Sequence, residues 1–109
     1  MAKPLKRGLA PNHPGEILRL TVLPSLLTER DMPKGAFAER LGVSYDVLDN
    51  LVSGKTNMTP SLALRLGRVL GNEPQFWMNL QANYDLWKAE AAMGEHLAAL
   101  KPVGKLKAW

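Results

Sequence analysis

The segment from Pro33 to Gly54, PKGAFAERLGVSYDVLDNLVSG, leaves the fewest options for how this 109-residue chain folds. Ala38 and Gly42 stand four residues apart, where one short apolar helix gives way to another. Two such helices cross tightly only if a small residue lies at their contact, and glycine relieves the turn between them. The first is expected over about Pro33–Leu41, with Phe37, Ala38 and Leu41 on one side. The second starts after Ser44, a good N-cap, and ends at Gly54. Val47, Leu48, Leu51 and Val52 recur at helical spacing and are expected to face inward. Together these requirements predict a helix-turn-helix.

With that face buried, Asp46, Asp49, Asn50 and Ser53 point outward, and Ser44 and Tyr45 stand at the helix N-terminus. In a helix-turn-helix, the outward face and the N-terminal residues enter the major groove of DNA. Asn50 suits a bidentate bond to adenine, Asp46 or Asp49 can accept from cytosine N4, and Tyr45 or Ser44 can bond a phosphate. A solvated face with no DNA contact is the alternative for the two aspartates. Carboxylates repel phosphates, and no Arg or Lys lies on this helix before Lys55. Phosphate affinity then rests on Lys34, Lys55 and the loop residues Asn57 and Thr59, with helix-end amides as further donors. Simple surface lysines are the other reading of Lys34 and Lys55.

The flanking chain reads as helix throughout. A first helix is expected from Pro14 to Leu23, where Pro24 ends the pattern. Thr59-Pro60 caps and opens a helix that ends at Gly71, with Leu62, Ala63, Leu66, Val69 and Leu70 as its stripe. The longest starts near Pro74 and carries Trp77, Leu80, Tyr84, Trp87 and Ala91 along one face. The expectation is an all-α chain of five helices, one domain over residues 13–98. A flexible basic arm (1–12) precedes it and a flexible tail (99–109) follows, with Trp109 free to pack back.

The net charge of +4 favours an anionic partner. Its distribution matters more: residues 1–12 carry +3 and 61–72 carry +2, whereas 31–60 carry −1. Basic character therefore sits in the arm and near Arg65 and Arg68, away from the helix-turn-helix. The absence of cysteine excludes disulfide scaffolds, thiol catalysis and cysteine-ligated zinc. It also fits a reducing cytoplasm. No apolar run approaches a bilayer span, and none follows the N-terminal cations, so neither membrane insertion nor a secretory signal is expected. His13 and His96 lack ligand-spaced partners, and His13 is expected to cap the first helix. No phosphate-cradling loop or nucleophile elbow is present, so no catalytic residue, metal or cofactor is expected.

Two further segments are distinctive: HPGEIL at residues 13–18, and ALRLGRVLGNEPQFWMNLQANYDLW at 63–87. With the helix-turn-helix and the SGKTNMT loop, they resemble the HigA-type antitoxins, a branch of the Xre-like helix-turn-helix proteins, over about residues 13–88. The resemblance implies a lambda-repressor-like fold and a cytoplasmic bacterial protein that binds a small ribonuclease toxin. It further implies a homodimer repressing its own operon through a palindromic operator. Phe76, Tyr84 and Trp87 concentrate apolar area suited to that dimer contact, with closure of the domain's own core as the alternative. The chain departs from the family where members carry arginine or other donors, at Tyr45 and Val47, where a polar cap gives way to Pro33, and where Glu73 stands before Pro74. Three readings stay open: an autoregulatory antitoxin, a toxin-neutralising module with weak or no operator binding, and a stand-alone Xre-like repressor.

Overall fold

Prolines and short polar side chains decide where the helices begin. The computed structural model describes residues 10–107. The expectations for Lys3, Lys6 and Arg7 of the arm, and for Trp109, fall outside them. His13 stands in extended conformation before α1 (Pro14–Ile17), and its Nδ1 accepts the Gly15 N–H at 2.9 Å, the expected cap. The helix does not stop before Pro24. It widens into a π turn over Leu18–Val22, where the Leu23 N–H bonds the Leu18 carbonyl, and continues as α2 (Leu23–Arg30). Proline has no N–H, and its ring crowds the carbonyl four residues back. The wider turn lets the chain pass through it.

Helix α3 (Lys34–Leu41) ends at Gly42, whose φ of 77° turns the chain while its N–H bonds the Ala38 and Glu39 carbonyls. Helix α4 (Tyr45–Val52) is capped by Ser44, whose Oγ accepts the Val47 N–H at 3.1 Å. Helix α5 (Pro60–Leu70) is capped by Thr59 through the Leu62 N–H at 3.2 Å. Then follow α6 (Pro74–Ala92) and the short α7 (Gly94–Ala99), after which residues 100–106 have no regular structure. No strand occurs among the described residues, and the chain is all-α as expected. Two details differ from the five-helix expectation: the first helix runs on past Pro24, and Met93 separates α7 from α6.

One core joins these elements. Leu18, Phe37, Leu41, Leu48, Leu51, Leu66 and Trp77 are buried together, with Ala38 and Ala63 where helices approach. Helix α3 packs on α4 and α5, α5 on α6, and α1 on α4. The last contact depends on Gly15, because a Cβ there would collide with the Leu51 carbonyl oxygen. The inward stripe of α4 is Leu48, Leu51 and Val52. Val47, expected with them, is 42% exposed, because it sits at the edge of that stripe and the three larger contacts already seat the helix.

Candidate nucleic-acid interface

Seated on its apolar side, α4 turns Asp46, Val47 and Ser53 to solvent and leaves Asp49 and Asn50 half-buried. Tyr45, at its start, is 51% exposed. Ser44 is also exposed, and its hydroxyl oxygen is used in capping. The Asn50 side-chain amide makes no hydrogen bond among the described residues. Its backbone carbonyl accepts from the N–H groups of Lys55 at 2.9 Å and Thr56 at 3.3 Å and from the Ser53 hydroxyl at 3.2 Å, winding the end of α4 into the following loop.

Lys34 and Asp49 are engaged with one another. The ammonium Nζ donates to Asp49 Oδ1 at 2.6 Å and lies 5.1 Å above the Tyr45 ring. The hydrogen bond to Asp49 raises the Lys34 pKa above its ordinary value, against a smaller opposing effect of burial. The same bond lowers that of Asp49. A lysine from α3 thus neutralises one of the two carboxylates on α4 and cradles its first aromatic residue. Asp46 has no cation partner among the described residues, nor does Lys55 have an acidic one.

The loop after α4 is fastened from behind by a residue that sequence reasoning missed. Gln81 is buried in α6; its Oε1 accepts the Met58 N–H at 2.6 Å, and its Nε2 donates to Asn57 Oδ1 at 3.3 Å and Asp85 Oδ1 at 2.9 Å. The side-chain oxygen of Asn57, expected at a phosphate, therefore faces Gln81. The signal was present: Gln81 lies four residues after Trp77 and three before Tyr84, on the inward face where a polar residue needs a buried partner. Arg65 was also underread. Its Nη1 donates to the Leu41 carbonyl at 2.9 Å and the Gly42 carbonyl at 3.3 Å, so it closes the C-terminal end of α3.

The three aromatic residues expected at a dimer contact do not form one patch. Phe76 is exposed, packs edge-on to Trp77 at 5.0 Å, and borders a groove with Leu26 and Val69. Tyr84 lies against the His13 ring at 5.1 Å, with Trp87 6.2 Å from it, both half-buried beside the start of α1. Among the described residues no helix is long and apolar enough to cross a membrane.

No protein-family model matches the chain. It is 34% identical over 90 residues to the antitoxin HigA-1 of Vibrio cholerae, a match covering 82% of this chain and 80% of that protein. The antitoxin HigA of Pseudomonas aeruginosa, solved with the higBA promoter, superposes with a TM-score of 0.74 at 38% identity, covering 86% of this chain and 99% of that one. A HigA-family addiction-module antidote protein from Coxiella burnetii gives 0.74 at 29% identity, covering 86% and 99%. With 34% identity over most of both chains and matching folds in solved relatives, the chain belongs to the HigA antitoxin family of helix-turn-helix proteins.

Proposed function

We propose that this protein is the antitoxin of a type II toxin–antitoxin module, which neutralises a HigB-like ribonuclease toxin and represses its own operon as a cytoplasmic homodimer, without catalysis of its own. The observation that carries the reading is α4. It is fixed on three sides by α1, α3 and the Gln81-fastened loop, while Tyr45, Asp46, Val47 and the side chain of Asn50 remain available to a ligand. A rigid helix with a free polar face is what major-groove reading needs. The Pseudomonas aeruginosa relative with its promoter supports the same use. A two-fold dimer would set two such helices about one DNA turn apart, facing a palindrome.

Fluorescence anisotropy with a duplex taken from immediately upstream of the coding sequence tests operator binding. The expected result is salt-sensitive binding well above that of a scrambled duplex, lost on Asn50→Ala. Equal affinity for both duplexes overturns repression. Co-expression with the neighbouring short reading frame tests neutralisation: rescue of growth and a co-purifying complex are expected. A second reading, neutralisation with little operator affinity, is favoured by Asp46, which faces outward with no cation partner among the described residues. Growth rescue without operator preference selects it. Operator preference without any toxic neighbour selects a stand-alone repressor.

A further inference from the structure

Resting on the operator-binding reading above, we infer that Val47 is a thymine reader: its side chain meets the 5-methyl group of a thymine beside an adenine held by Asn50. The core does not explain this valine. Leu48, Leu51 and Val52 fill the inward side of α4, whereas Val47 stands 42% exposed. A β-branched residue also gains nothing from being in a helix, where it loses side-chain freedom. Its position is nonetheless firmly held, because its N–H is bonded to Ser44 Oγ at 3.1 Å in the first turn of α4. The N-terminal turn is the part of a reading helix that contacts base edges.

The side chain has neither donor nor acceptor. In the major groove, the apolar feature that distinguishes one base from the others is the thymine methyl. Asn50, three residues on, is its neighbour on the helix surface. Three residues advance a helix by about 4.5 Å, close to the roughly 3.4 Å step between bases on one strand. The pair therefore fits adjacent A·T base pairs. Guanine recognition lacks its usual donor: α4 carries no Arg or Lys, and Lys34, which lies over Tyr45 at its start, is held by Asp49 at 2.6 Å.

The test uses the full chain and the upstream duplex, with protected half-sites first located by footprinting. Each thymine in them is replaced singly by deoxyuridine, which removes the methyl and leaves base pairing intact. In the native protein, one such replacement per half-site is expected to weaken binding by about fourfold, the worth of burying one methyl-sized group. Val47→Ala, at an exposed position that leaves the core untouched, is expected to bind the thymine and deoxyuridine duplexes equally. Native binding indifferent to every replacement overturns the inference, as does a Val47→Ala protein that keeps the full deoxyuridine penalty. No preference for the upstream duplex over a scrambled one instead overturns the operator reading on which it rests.

Discussion

Gly15 is the residue at which the start of α1 meets the backbone of α4, and the cost of altering it follows from that contact. A methyl group there has the Leu51 carbonyl in its place, and backbone cannot swing aside as a flexible side chain can. Gly15→Ala should therefore destabilise the fold by roughly 2–3 kcal/mol, the upper part of the range for overpacking, seen as a lower urea midpoint. A second residue-level expectation concerns charge. Asp49 has its pKa lowered and Lys34 has its pKa raised, each mainly by their mutual hydrogen bond. The aspartate's contribution is present above the ordinary carboxylate value and fades as pH falls through the lower native one. The lysine's is present below the ordinary ammonium value and fades as pH rises through the higher native one. The pair should therefore hold unchanged between about pH 4 and pH 10. In Lys34→Met, the Asp49 carboxyl should titrate at higher pH than in the native protein, by NMR. An unchanged titration would show that the pair does not form in solution.

At the scale of elements, α4 depends on its cap. Ser44→Ala removes the acceptor for the Val47 N–H and should cost about 1 kcal/mol, read from the shift in thermal midpoint. Such caps are why the helix starts were legible in the sequence: Ser44, Thr59-Pro60 and His13-Pro14 each open a helix where the pattern placed one. Ends and edges were less legible. Pro24 reads as a terminator because its lost hydrogen bond is local and visible. The π turn that absorbs it lies in a stretch whose Ile17, Leu18, Val22, Leu23 and Leu26 pack on the core, which is a tertiary matter. Val47 satisfies a helical spacing that spans an arc wider than the buried one, so periodicity alone could not separate edge from core. Of the candidate site, the outward positions of Tyr45, Asp46 and Ser53 were readable from phase. The pairing of Lys34 with Asp49, fifteen residues apart, and the fastening of Asn57 by Gln81 were not, because both are made by tertiary approach.

For the whole molecule, the net charge of +4 overstates what the described reading surface offers to phosphates. Lys34 is engaged with Asp49 and Arg65 with the end of α3, whereas Lys55, exposed just past α4, has no acidic partner within an ion-pair distance among the described residues. Lys55→Gln should lower the slope of log affinity against log salt by about 0.9, the share of one phosphate contact, with little change in base preference. An unchanged slope would place Lys55 away from the duplex. Such economy of free cations has a consequence for how the protein distributes itself in a cell. Attraction to phosphates is the same at every sequence, so a strongly basic reader is titrated by the roughly 10⁶–10⁹ competing sites of a genome. A reading helix that carries no Arg or Lys, beside a lysine committed to an aspartate, adds little to that indiscriminate hold. Fewer copies of such a reader would then keep one operator occupied.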